Sequence, residues 1–188
     1  MNFTLEQFAK ELPKWYQKWR RANPNYFPVE ERLTKKAHTL GYLEIDDLVA
    51  ITYVLGNPHN IKGRVKKANT EDEIREKTRE AIRYLDNPAS ALENMRSIRQ
   101  WGLTFASKTL RCICPRNYGA LDSKLHEGID RRYFPSRNEV ERYCQFLDLC
   151  REIQQMVSVP RPRENGAWFL ADIEIALFQF VWGKNKIV

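Results

Sequence analysis

The sequence predicts an all-α protein, a two-lobed helical fold built around a helix-hairpin-helix. Three observations lead there. Apolar residues recur at helical spacing nearly throughout the 188 residues. Glycine (8) and proline (9) are too sparse to supply many hairpin turns. Cap residues also stand at the head of most apolar-periodic stretches. The composition, 43% hydrophobic and 29% charged, is that of a folded domain large enough to bury a core.

The elements follow in order, nine or ten helices in all. "TLEQFAKELPKWYQKWRRA" opens on Thr4 as cap and repeats Leu5, Phe8, Leu12, Trp15 and Trp19, with Pro13 expected to bend or split it. "ANPNYFP" reads as a loop. "VEERLTKKAHTLGY" is a second helix ending near Gly41, and "EIDDLVAITYVLG" a third, more buried one. "NPHNIKGRVKKAN" is a short basic helix with a proline start. "TEDEIREKTREAIRYLD" has Thr70 as cap, acids first and bases later, matching the helix dipole. "NPASALENMRSIRQW" runs up to Gly102, and "LTFASKTLRCI" begins at once. "PSRNEVERYCQFLDLCREIQQMV" enters through Ser136 or Asn138, "PRPRENG" is a linker, and "AWFLADIEIALFQFVW" is strongly apolar. The last residues, with Lys184 and Lys186, read as frayed surface.

Charge narrows the partner. Lysine and arginine outnumber aspartate and glutamate by 31 to 24, a net +7, which either only aids solubility or favours a polyanion, double-stranded DNA first. No apolar run reaches the ~20 residues of a membrane span, and "MNFTLEQFAK" lacks a signal layout, so a cytoplasmic monomer is expected. Cys112, Cys114, Cys144 and Cys150 form no C-x2-C pair, and His38, His59 and His126 are scattered. No metal site and no cofactor are expected.

The chemistry-bearing stretch is "IRQWGLTFASKTLRCICPRNYGALDSK", residues 98–124. Two helical patterns meet at Gly102, where a positive φ would close a tight turn. The exposed N–H groups of the second helix then form an anion site, with Arg96, Arg99, Lys108 and Arg111 close in sequence. The bland alternative is an ordinary turn between packed helices. Asp122 either caps the helix that begins at Ser123 or serves as a reactive carboxylate, and a capping aspartate can do both.

"IRQWGLTFAS" followed by "ALDSKL" resembles the helix-hairpin-helix DNA glycosylase superfamily, and within it a broad bacterial branch lacking the nucleophilic lysine. Ile98, Trp101 and Gly102 match hairpin positions; Gln100 stands at the first glycine, Thr104 at the lysine, and Lys124 at the usual histidine. The likeness spans about residues 44–130. It implies removal of a base from DNA, with Asp122, 18 positions after Thr104, as the catalytic carboxylate. With Thr104 at the lysine position, water becomes the nucleophile and the enzyme is monofunctional. Lys108, one turn further along, is either a displaced nucleophile or a phosphate or solvent contact. DNA contacts are expected from Arg96, Arg99, Gln100, Gly102, Arg111, Arg116 and Lys124. Tyr118 either stacks on an extruded base or packs. Lys62, Arg64, Lys66 and Lys67 offer backbone contacts or a solvated face. The lobes are expected at about residues 31–135 and at 1–30 with 136–188, Asp122 lying in the cleft between them. The alternative is a non-catalytic DNA-binding protein of the same fold.

Overall fold

A computed structural model describes residues 2–56, 60–158 and 166–188. Pro58, His59 and nearly all of the "PRPRENG" linker lie outside the described residues. Among the described residues, ten α-helices carry the structure, with one pair of two-residue strands. The chain divides into a terminal unit, residues 1–24 with 115–188, and a central unit, residues 25–114. The divisions fall at 24/25 and 114/115 rather than 30/31 and 135/136, so Asp122 belongs to the terminal unit and the hairpin to the central one.

In the terminal unit, α1 (Leu5–Ala22) is one continuous helix, uninterrupted by Pro13. The expected split is absent. Proline inside a helix costs about 3 kcal/mol. The buried stripe Leu5, Phe8, Leu12, Tyr16 and Trp19 supplies more than that on one unbroken face. Thr4 caps it in a reciprocal box with Gln7. Its partner α10 (Leu170–Trp182) is apolar nearly all round, the signature of a central helix. Phe180 on α10 takes the edges of Phe3, Phe8 and Trp15 at ring distances of 4.9–5.4 Å. α9 (Glu139–Met156) enters through Asn138, whose Oδ1 accepts from Val140 and Glu141 N–H. α8 (Ser123–Gly128) packs its last residue onto α10.

The tail is not frayed. Residues 2–3 (β1) pair in parallel with 186–187 (β2), Val188 N–H donates to Phe3 O at 3.0 Å, and Asp130 N–H donates to Ile187 O at 3.0 Å. These bonds hold Lys184 and Lys186 in fixed backbone.

The central unit holds α2 (Tyr26–Leu40), α3 (Ile45–Leu55), α4 (Ile61–Ala68), α5 (Glu71–Arg83), α6 (Pro88–Arg96) and α7 (Leu103–Ile113). α2 takes in Tyr26–Pro28, read from sequence as loop; proline is tolerated in a first turn, where no intrahelical bond is lost. It stops at Gly41, φ +70°. α6 ends at Arg96, short of the expected Gly102. α7 lies against α2, α3 and α6 with eight residues buried, including Arg111. Asp47 fastens α3 to α2: Arg32 and Lys36 reach its two oxygens at 2.6 and 2.5 Å. Burial alone would raise this carboxyl's pKa, but Lys36, the Glu44 N–H and Arg32 together hold it below the usual aspartate value.

No helix among the described residues is long and apolar enough to cross a membrane.

The approach of α8 to α10 gives a direct test. A Cβ added to Gly128 would meet Val181 Cγ1 at 2.1 Å. Gly128→Ala therefore overpacks the terminal unit by about 1–3 kcal/mol, lowering Tm by roughly 5 °C in a thermal melt.

Candidate nucleic-acid interface and carboxylate

The hairpin is built from residues 97–102. Ser97 closes α6, its N–H reaching Glu93 O at 3.0 Å. Trp101 N–H then donates to Ile98 O at 3.0 Å, forming a β-turn. Gln100, its third residue, has φ +65°, while Arg99 is not in the left-handed region. That is the pattern of a type II turn, whose third position favours glycine. The positive φ expected at Gly102 thus falls on Gln100. Gly102 is extended, φ −69° and ψ −178°, because a helix N-cap needs the β region, which any residue can adopt. A Cβ there would meet nothing within 4 Å.

Asn69, between α4 and α5, holds the turn. Its Nδ2 donates to Arg99 O at 2.9 Å and its Oδ1 accepts from Arg99 N–H at 3.0 Å. Nδ2 also reaches Val65 O at 2.9 Å. Ile98 and Trp101, each 1% exposed, anchor the turn from below. Trp101 Nε1 donates to Thr109 Oγ1 at 3.0 Å, and its ring meets Phe105 at 4.8 Å. In the first turn of α7, Phe105 and Ala106 N–H donate to Gly102 O. Gly102 has no side chain to cap the helix, and the N–H groups of Leu103 and Thr104 have no partner among the described residues. Thr104 is half-buried beside them.

The cations around this turn are deployed unequally. Arg99 is exposed but its Nη2 lies 2.8 Å from both Glu73 oxygens. Glu73's carboxyl is held below its usual pKa, first by the Thr70 N–H and also by Arg99. Arg96 is half-buried at the end of α6. Arg111, expected at DNA, is 3% exposed with its guanidinium 4.7 Å from the Tyr26 ring, inside the unit's core. Lys108 donates to Leu55 O at 2.8 Å and lies over the Phe105 ring. Its ammonium is committed to the C-terminus of α3. On α4, Lys62 bonds Tyr53 Oη and Lys66 pairs with Asp46 at 2.7 Å. Arg64 and Lys67 are exposed with no ion pair among the described residues.

In the terminal unit, Asp122 is the N-cap of α8. Its Oδ1 accepts from Lys124 N–H at 2.9 Å and Leu125 N–H at 3.1 Å, and no hydrogen bond reaches Oδ2 among the described residues. The loop before it is fixed: Tyr143 Oη donates to Gly119 O at 2.8 Å, and Ala171 N–H donates to Pro115 O at 3.0 Å. Tyr118 is fully buried and packs. Arg116 is exposed over the Phe169 ring at 5.2 Å. Lys124 is exposed, 3.3 Å from Glu127. His126, not used in the sequence reading, is half-buried against Phe134; burial first, then Arg142 and Arg131, push its pKa below the usual histidine value.

Asn69, Glu73 and Tyr143 escaped the sequence reading. Asn69 left a trace as an amide just before the Thr70 cap, and Glu73 as the acid three residues after that cap. No group of histidine, cysteine and carboxylate side chains able to hold a metal occurs among the described residues. No family model matches the chain, and no similar protein was found among curated proteins or solved structures.

The left-handed turn residue sets a ranking. Gln100→Val should cost about 1–2 kcal/mol, because a β-branched side chain is strained at this φ. Gly102→Ala should cost less than about 1 kcal/mol, its φ being ordinary and the space open. Urea unfolding measures both, and a costlier Gly102→Ala would contradict the assignment.

Proposed function

We propose that the protein binds duplex DNA through the 98–104 hairpin and hydrolyses an N-glycosidic bond, with Asp122 as the catalytic carboxylate and water as nucleophile. The observation carrying the reading is the uncapped first turn of α7. The Leu103 and Thr104 N–H groups have no partner among the described residues and follow an exposed glycine with no side chain, on a turn that Asn69 clamps. Two backbone donors at a helix N-terminus suit a phosphate oxygen, and the bare Gly102 lets the strand approach. Arg96, Arg64 and Lys67 add diffuse positive charge in the same unit.

Base removal requires the nucleotide to leave the stack. The bond from C1′ to the base nitrogen then breaks, its electrons departing with the base, which takes a proton from solvent. Positive charge on the sugar is stabilised by the Asp122 carboxylate, and a water oxygen bonds C1′ while its proton passes to that carboxylate. Oδ1 is engaged by the helix N–H groups, which leaves Oδ2 for this work. Thr104 has no amine to form an imine, and Lys108 is tied to Leu55 O. The products are a free base and an abasic site, with no covalent enzyme–DNA species.

One observation favours a second reading, a DNA-binding protein without catalysis: Asp122 already has a complete structural role as cap.

Asp122→Asn separates the two, since asparagine caps as well as aspartate. On a panel of lesion-bearing duplexes, wild type should release free base and leave alkali-labile sites. Asp122→Asn should retain fold and DNA affinity and lose at least about 100-fold in rate. No base release by wild type from any duplex supports the second reading. A borohydride-trapped adduct would overturn the water mechanism. Gly102→Val should weaken duplex binding about tenfold without unfolding the protein, by obstructing the phosphate rather than the turn.

A further inference from the structure

An open groove of about 500 Å³ in the terminal unit is lined by Lys124 and Glu127 of α8, by Val181 and Trp182 at the end of α10, and by Lys184 and Lys186 of the tail. Three amines face it against one carboxylate. Trp182 is 61% exposed, the most exposed tryptophan named in either unit, and its indole stacks on Phe178 at 5.7 Å and 26°. A large aromatic held flat by a neighbour and left in water is costly to solvation and useful as a platform. The backbone that carries Lys184 and Lys186 is also fixed. Lys184 adopts φ +62°, a conformation that glycine takes more cheaply, and its N–H donates to Val181 O at 2.8 Å. Asn185 ties the tail to Phe180 O at 3.0 Å, and Lys186 lies in β2.

We infer that this groove binds single-stranded nucleic acid, one base stacking on Trp182 while Lys124, Lys184 and Lys186 contact the flanking phosphates. The chemistry fits a strand better than a compact anion. The amines are dispersed point charges around an aromatic face, with no bidentate guanidinium among the lining side chains. Such a site tolerates sequence, because every base has a π-face, and it weakens with salt as phosphates regain counterions. Each residue lining the groove belongs to the terminal unit, whereas the hairpin belongs to the central one. A membrane surface also attracts tryptophan and lysine, but the apolar neighbour Val181 is 9% exposed and offers little to insert.

Anisotropy of a fluorescein-labelled oligothymidylate tests the groove. Wild type should bind with a clear salt dependence, Trp182→Ala should lose about tenfold in affinity, and Trp182→Phe should recover most of it. Lys184→Gln with Lys186→Gln should lower the slope of log K against log salt by about 1.4. All these side chains are at the surface, and circular dichroism confirms folding. Trp182→Ala binding as tightly as wild type overturns the proposal. So does wild type that ignores the oligonucleotide while partitioning onto phosphatidylserine vesicles. Loss of single-strand binding in Gly102→Val, with Trp182→Ala unaffected, overturns the groove and assigns the strand to the hairpin.

Discussion

A single buried amide underlies the proposed interface. The Asn69 side chain satisfies both the N–H and the C=O of Arg99, and a third bond to Val65 O fixes its own orientation. Without it, the peptide at Arg99 would be left unpaired beside the core at about 1–3 kcal/mol per group. Gln100 would also lack a reason to stay in the left-handed region. The turn that leads into the uncapped first turn of α7 depends on that clamp. It joins positions 30 residues apart, so it forms only once the α4–α5 junction has met the turn that follows α6.

This separates what was legible in the sequence from what was not. Thr4, Thr70, Asn138 and Gly41 mark their helix boundaries because capping is local, read within three or four residues. The end of α6 was not legible, because residues 97–102 are held from Asn69 rather than by helix propensity. Pro13 misled for the reverse reason: a strong buried stripe outweighs a local breaker. At the site, Asp122 was legible as a cap from Asp-Ser-Lys alone. Arg111 and Lys108 were legible only as cations; burial over Tyr26 and the reach to Leu55 O are tertiary facts.

The net positive charge is therefore not a uniform surface. Much of it is engaged by partners within the protein: Lys36 and Arg32 with Asp47, Lys66 with Asp46, Arg99 with Glu73 and Lys108 with a carbonyl. Exposed cations outside those pairs include Arg64 and Lys67 on α4 in the central unit, and Lys184 and Lys186 beside Trp182 and Lys10, Lys18 and Arg21 on α1 in the terminal unit. Affinity for a polyanion would then rest on backbone donors and a few placed amines rather than on bulk charge.

The most direct measurement is an amide NMR titration of the 15N-labelled protein with a short duplex. If the hairpin binds phosphate, the largest shifts fall on Leu103 and Thr104 N–H, with smaller ones at Gly102 and Gln100, and all of them shrink as salt is raised. Saturable duplex binding with those amides unmoved, or no duplex binding at low salt, would contradict the account.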